Sequence, residues 1–376
     1  MTVAIIEEPK LLSVSTGLIG KIPVNNLWLL MLYASDLFQT AEIGKVKFDE
    51  NLDNIPDLIA EILANAVEER QRRQLSYQYQ PRHDVLNRIK GKIDILTTER
   101  HQLLCKGKVA CQFSELTIDT PRNRFVRSAL EVICCLVTDK KLSRRCKSLA
   151  NGMKALGVLG HAPTLKQMSN DCFGRNDTQD KLMVTAAKLA FQLMLPTEIA
   201  GNNSVYLPYR AEIWVRRLFE RAVGGFYQVV LSPQGWKVLC GKQLEWNITS
   251  KTDGIDKILP NMRTDVILEH HATNKRIIID TKFASILTNG WYREKSLKSA
   301  YIYQMYAYIH SQSETNNWLA NDTSGLLLHP STGEMMDESV TIQGHSIRFA
   351  TVDLSAKPND IRAQLIALSH SSEKLN

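Results

Sequence analysis

Two strand-like stretches carry the residue types that phosphodiester chemistry uses. Met262-Arg263-Thr264-Asp265-Val266-Ile267-Leu268-Glu269-His270 comes first. The turn-forming Ala272-Thr273-Asn274 follows, and then Arg276-Ile277-Ile278-Ile279-Asp280-Thr281-Lys282-Phe283. Strands joined by so short a polar turn pair antiparallel. Side chains alternate along a strand, so Asp280 and Lys282 point to one face, and Asp265 can reach that face from the neighbouring strand. Carboxylates a few ångströms apart repel, and a divalent cation is their natural neutraliser. Magnesium prefers hard oxygen ligands and keeps several waters. It can polarise a phosphoryl oxygen and lower the pKa of a bound water. A lysine two residues beyond the second carboxylate can orient that water or stabilise transition-state charge. The candidate chemistry is Mg2+-dependent phosphodiester hydrolysis. Asp265, Asp280 and Lys282 are the candidate catalytic residues, and Asp265 and Asp280 the candidate metal ligands.

Those residues need a frame. The run Ile277-Ile278-Ile279 places Asp280 at the end of a buried strand. Periodicity predicts a helix over Tyr209–Tyr227, strands at Lys237–Cys240, Thr264–Glu269, Arg276–Phe283 and Gly325–Leu328, and a helix over Ala300–His310. That order is α/β with a mixed sheet flanked by helices. The first half reads as mixed α+β, so the chain is α+β overall. Asn25 or Asn26 is expected to cap a helix from Leu27 to about Phe38. A second helix is expected over Ile55–Arg73, and strands near Ile89–Ile95 and Lys108–Gln112. A third helix is expected over Arg122–Leu136, behind Pro121 at a first-turn position. The basic run Lys140, Lys141, Arg144, Arg145, Lys147 is expected at its end, and helical pattern resumes over Asp180–Leu195. The polar, Pro- and Gly-containing stretch from Pro196 suggests a linker. The expected division is an arm at 1–20, a first domain at 21–195, a linker at 196–206 and a second domain at 207–376.

Composition narrows the function classes. The chain has 376 residues, 44% hydrophobic and 23% charged, enough for two ordinary cores. A formal net charge of +7 permits nucleic-acid binding without proving it. Seven cysteines, an odd number with no CxxC pair, read as reduced thiols rather than a disulfide frame or a zinc site. Met1-Thr2-Val3-Ala4, followed by Glu7 and Glu8, lacks the basic start and apolar core of a signal peptide. The apolar stretch Leu27–Leu37 is too short to span a bilayer. A cytoplasmic protein without a membrane segment is expected. Gly17-Leu18-Ile19-Gly20-Lys21 is followed by Ile22, so there is no phosphate loop, and nucleotide-driven movement must come from another chain.

The spacing of Asp265 and Asp280-Thr281-Lys282 resembles the PD-(D/E)xK nuclease superfamily, with Pro260 set five residues before Asp265 rather than beside it. Gln304-Met305-Tyr306-Ala307-Tyr308 resembles the QxxxY signature of its RecB-like branch. At i and i+4, Gln304 and Tyr308 share a helix face, which in that branch borders the DNA and the active site. The superfamily's preceding helix often supplies a metal-facing acid, and Glu220 in Leu218-Phe219-Glu220 matches that position. Glu220, Gln304 and Tyr308 are therefore the supporting residues the resemblance implies.

Further blocks extend the likeness. Ile22-Pro23-Val24-Asn25-Asn26-Leu27, Met31-Leu32-Tyr33-Ala34, Ile89-Lys90-Gly91-Lys92-Ile93 and the segment Phe113–Arg124 resemble the McrC family. McrC is the nuclease subunit of McrBC modification-dependent restriction systems. The resemblance implies an endonuclease acting on methylcytosine-containing DNA for defence. It implies a hetero-oligomer with a McrB-like AAA+ GTPase, which this chain stimulates and is activated by. The first domain would dock on that motor, with Lys90, Lys92, Arg122 and Arg124 as candidate contacts. Two alternatives stay open: a stand-alone RecB-like DNA repair nuclease, and a non-catalytic regulatory subunit of an NTPase motor. The intact Asp265, Asp280, Lys282 set argues against the second.

Overall fold

The computed structural model describes residues 18–19, 21–37, 54–174, 177–196, 208–246, 248–283, 286–288, 296–311, 323–333 and 335–370. Except for Leu18, Ile19 and Pro196, the expected arm and linker lie outside the described residues. The chain forms two compact units, Met1–Ile55 with Gln192–Asn376, and Pro56–Phe191.

The N-terminal segment contributes a two-stranded ribbon, β1 (Leu18–Ile19) and β2 (Ile22–Pro23), and helix α1 (Val24–Ala34). It belongs to the larger unit, whereas the sequence suggested a first domain running unbroken from residue 21 to 195. The reason is apolar surface. Val24, Asn26 and every residue from Leu27 to Tyr33 are buried, and a helix apolar on all sides needs neighbours on all sides. Asn26 is no cap. Pro23 occupies the cap position, and the Asn26 amide donates to the carbonyls of Leu354 and Ala356 at 2.8 and 2.9 Å.

The smaller unit is mostly helical. It contains α2 (Ile55–Arg72, of which Ile55 belongs to the larger unit), β3 (Gln78–Leu86), β4 (Lys92–Ile93), α3 (Ile95–Arg100), β5 (Val109–Thr117), α4 (Pro121–Ile133), α5 (Lys140–Ala155), α6 (Leu165–Ser169) and α7 (Thr178–Gln192, of which Gln192 belongs to the larger unit). The three strands make an antiparallel sheet in the order β3-β5-β4. Pro81 lies within β3, where an edge strand tolerates a missing donor. Pro121 takes the first turn of α4, as its fixed φ favours, and the Thr120 hydroxyl caps that helix. The basic run does not end α4; it opens α5, capped by Asp139. Arg145 from that run is bound by Glu68 at 2.7 Å.

The larger unit continues with α8 (Pro208–Leu231), β6 (Lys237–Cys240), β7 (Gln243–Leu244), β8 (Met262–Arg263), β9 (Val266–His270), β10 (Lys275–Thr281), β11 (Leu287–Thr288), β12 (Ser296–Leu297), α9 (Ser299–His310), β13 (Thr323–Ser331), β14 (Asp337–Ile342), β15 (His345–Asp353) and α10 (Pro358–His370). Six strands form a mixed sheet in the order β14-β15-β13-β10-β9-β6. β10, β13 and β15 run parallel, and the remaining pairings are antiparallel. Met305, Tyr308 and Ile309 of α9 pack on Ile267, Ile278 and Leu327 on one face. α8 lies against the other face: a Cβ on Gly224 would meet Cys240 and Val266, and one on Gly225 would strike the Tyr33 carbonyl of α1. Two adjacent glycines thus let α8 touch both the sheet and α1. Among the described residues, no helix is long and apolar enough to cross a membrane.

Candidate active site

The antiparallel register of β9 and β10 brings the candidate residues together. Val266 pairs with Ile279, so Asp265 and Asp280 follow as neighbours at the ends of the two strands. The turn is a short helical turn at His271–Thr273 closed by Asn274 in the left-handed region at φ 55°, a conformation asparagine tolerates. Beyond the last paired residue, the Lys282 N–H still donates to the Leu328 carbonyl of β13 at 2.9 Å. The backbone therefore stays in the sheet through the whole Asp280-Thr281-Lys282 motif.

Each of the two candidate aspartates has its own restraint. Asp280 is 2% exposed, and its Oδ2 lies 2.8 Å from the Lys282 ammonium. Apart from that ion pair, Oδ2 has no hydrogen-bond partner among the described residues. Asp265 Oδ2 accepts from both the backbone N–H and the hydroxyl of Thr281, each at 2.7 Å. Thr281 was not singled out from the sequence. It is the middle residue of the DxK motif, and its role depends on the strand pairing.

The carboxylates feel one another. Burial is the main cause that pushes the Asp280 pKa up to about 6, with Asp265 and Glu220 adding to it and Lys282 opposing. Glu220, half-buried on α8, is raised too, first by burial and then by the Asp265 charge. Arg263, Arg216 and Lys282 pull it the other way. Glu220 thus shares its electrostatic environment with the strand-borne Asp265 and Asp280.

Gln304 and Tyr308 meet as expected for i and i+4. The Gln304 amide donates to the Tyr308 hydroxyl at 2.6 Å, and that hydroxyl donates to the Arg263 carbonyl at 2.9 Å. Burial raises the Tyr308 pKa, and the charges of Asp280 and Asp265 raise it further. The pair therefore stands beside the carboxylates and grips the main chain two residues ahead of Asp265. Tyr301, one turn earlier on α9, places its ring centroid 5.3 Å from both the Lys282 and Lys298 ammoniums. Neither Tyr301 nor Lys298 carried a sequence signal, because both depend on where α9 starts.

Do these residues fit magnesium? Two carboxylates have oxygens left for a cation: Oδ2 of Asp280, which is ion-paired with Lys282 but accepts no hydrogen bond among the described residues, and Oδ1 of Asp265, since both Thr281 bonds fall on Oδ2. Burial is the main cause of the raised Asp280 and Glu220 pKa values, and the nearby Asp265 charge adds to both, a load that a bound cation would relieve. Among the described residues, no three or more His, Cys, Asp or Glu side chains gather closely enough to hold a metal alone. That suits magnesium, which takes one or two carboxylates and fills its sphere with water and phosphate oxygens. It does not suit zinc, which needs a closed set of protein ligands at a structural site.

The remaining candidates lie in the smaller unit. Lys90 pairs with Glu115 at 3.4 Å and stands 4.0 Å over the Phe113 ring, and Lys92 is exposed. Arg122 and Arg124 are not free surface charges. Arg122 bonds Asp171 at 2.7 Å and Asp177 at 3.0 Å, and lies over the Phe173 ring. Arg124 bonds Asp119 at 2.8 Å.

Comparison with known proteins gives concordant matches. A family model described as "McrBC 5-methylcytosine restriction system component" matches residues 7–330. The Type IV methyl-directed restriction enzyme EcoKMcrBC of Escherichia coli (strain K12) is 25% identical over 347 residues, spanning 92% of this chain and 96% of that protein. Among solved structures, a half-complex from the tetradecameric assembly of Thermococcus gammatolerans McrB AAA+ hexamers with bound McrC aligns with a TM-score of 0.41 and 12% identity, over 91% of this chain and 76% of the other. The cryo-EM structure of the Thermococcus gammatolerans McrBC complex aligns at 0.34 and 15% identity, over 48% and 59%.

Proposed function

Because the chain belongs to the McrBC 5-methylcytosine restriction system component family, we propose that it is the DNA-cutting subunit of such a system. It is a Mg2+-dependent endodeoxyribonuclease for methylcytosine-containing DNA. A GTP-hydrolysing AAA+ partner activates it, and it stimulates that partner. The observation that carries this reading is the convergence of Asp265, Asp280 and Lys282 at the paired ends of β9 and β10. The restriction activity named for its Escherichia coli relative supports it.

The chain's own residues divide the work. Thr281 fixes Asp265 through two hydrogen bonds on one oxygen, which leaves the other for a ligand. Asp280 and Asp265 would hold the magnesium, with Glu220 adding negative charge. Bound there, the ion supplies Lewis-acid polarisation of the phosphoryl oxygen and an acidified water. Lys282, tethered to Asp280 at 2.8 Å, would set a positive charge beside the phosphate, whose non-bridging oxygens gain negative charge in the pentacoordinate transition state. Burial of Asp280 keeps bulk water from screening that charge.

The test is DNA cleavage with magnesium, with and without an AAA+ partner and GTP. Asp280→Ala should abolish cutting while leaving stimulation of the partner's GTP hydrolysis intact. A variant that cuts like wild type would show that the site is misassigned. Cutting at full rate without the partner favours a stand-alone repair nuclease. A wild-type chain that stimulates the motor and never cuts is a regulatory subunit.

A further inference from the structure

Arg263 is exposed, yet the fold holds it at three points. Its main chain is paired in β8 opposite Gln243. Its carbonyl accepts the Tyr308 hydroxyl at 2.9 Å. Its guanidinium runs over Gly241, where a Cβ would come within 2.7 Å of Nη2 and 3.2 Å of Nε. Gly241 itself sits at φ +61° and donates to the Asp265 carbonyl at 2.8 Å, and the Thr264 N–H donates to the Lys242 carbonyl at 3.0 Å. The loop that cradles the guanidinium is thus bonded to the first carboxylate residue and to the one before it.

No ion pair among the described residues uses the Arg263 guanidinium. Its charge is nevertheless felt at Glu220, ahead of those of Arg216 and Lys282. The guanidinium lies over Gly241, whose N–H is bonded to the Asp265 carbonyl, with its hydrogen-bonding fork unspent among the described residues. A guanidinium presents planar paired donors that match phosphate oxygens two at a time, which an ammonium cannot do.

We propose that Arg263 is a substrate-binding residue that grips a backbone phosphate of the DNA strand beside the scissile bond, with Gly241 and the Gln304–Tyr308 pair acting as its positioning residues. This rests on the nuclease reading above. The Gln304–Tyr308 pair then has a specific role, which is to fix the main chain from which both Arg263 and Asp265 project.

The experiment uses the full chain. Binding of a double-stranded DNA fragment is followed by fluorescence anisotropy in EDTA across a sodium chloride series. Cleavage is followed with magnesium and the partner. Arg263→Gln should reduce the slope of log K against log salt by about 0.9, the loss of one phosphate contact. It should lower kcat/KM roughly 10–100-fold, the range for a lost charge-assisted hydrogen bond. Arg263→Lys should restore the slope but only part of the cleavage, because the charge returns without the fork. Gly241→Asn introduces a Cβ where asparagine tolerates the backbone. It should reproduce the Arg263→Gln defect, and the double variant should be no worse. If wild type cuts DNA while Arg263→Gln keeps both slope and rate, the assignment of Arg263 is overturned alone. A folded wild-type chain that neither binds nor cuts DNA overturns the nuclease reading and this inference with it.

Discussion

The hydroxyl of Tyr308 donates to the carbonyl of Arg263 at 2.9 Å, while accepting the Gln304 amide at 2.6 Å. A helix on one face of the sheet thereby fixes the strand end from which Asp265 projects. Such a contact acts through geometry, and a displacement of about 1 Å near reacting groups can cost on the order of 100-fold in rate. Tyr308→Phe removes the bond and leaves the Gln304 amide unpartnered. The expected cost is about 1–3 kcal/mol of stability, read by thermal denaturation, with a fall in cleavage kcat. Equal kcat in Tyr308→Phe and wild type would show that the clamp is structural only.

Thr281→Val is a quieter test of the same carboxylate. It keeps the side-chain shape and the backbone N–H bond to Asp265, and deletes only the hydroxyl bond. With one restraint of two remaining, cleavage should drop by roughly 10-fold, in the range of a single hydrogen bond to a charged group. Magnesium titrations followed by thermal shift should show weaker binding. Unchanged magnesium affinity would mean that Asp265 needs no second anchor.

Asp280 makes the stability of the site depend on pH. Its pKa rises from the ordinary 3.8 to about 6 on folding, burial being the main cause. Between these values the folded chain holds a proton that the unfolded chain has lost. This contribution to stability is therefore complete below about pH 4 and is lost as pH rises through about 6. Asp280→Asn stays neutral throughout. In EDTA it should exceed wild type in stability above pH 6, by on the order of 2–3 kcal/mol, and lose that advantage toward pH 4. Magnesium at pH 8 should raise the melting temperature of wild type and not of the variant. A variant that melts below wild type at pH 8 without metal would contradict the buried-charge account.

The sequence displayed the strands of the candidate site because their signals are local. An apolar run, a turn and two carboxylates lie close together along the chain, and strand alternation does the rest. The i, i+4 pair Gln304 and Tyr308 was equally legible, but its acceptor was not, since Arg263 is distant in sequence and is reached through a main-chain atom. The fate of α1 was hidden for a similar reason. Its neighbours Phe226 and Leu354 lie far along the chain, so periodicity places a helix without saying which core it fills. The basic run from Lys140 to Lys147 misled because a helix end and the next helix start share charged residues. Asp139 as a cap, rather than the lysines, marks the true boundary.

Among the four basic candidates for motor contact, the structure separates two kinds. Arg122 is tied to Asp171 and Asp177, with nearly buried Asp180 at 3.7 Å, and Arg70 holds Asp180 from the other side at 2.6 Å. Removing Arg122 takes a partner from half-buried Asp171 and Asp177, while Arg70 still holds Asp180, so Arg122→Ala should cost about 1–3 kcal/mol and lower partner binding only by destabilising the smaller unit. Lys92 is exposed on a short strand, and Lys92→Glu should leave the melting temperature unchanged. If Lys92 meets the AAA+ partner, this charge reversal should reduce stimulation of its GTP hydrolysis at low salt, with the difference fading as salt screens the contact. Measuring melting and stimulation side by side decides between them. Normal stimulation by Lys92→Glu at low salt removes that residue from the docking surface, and a stable Arg122→Ala with lost stimulation would return Arg122 to it.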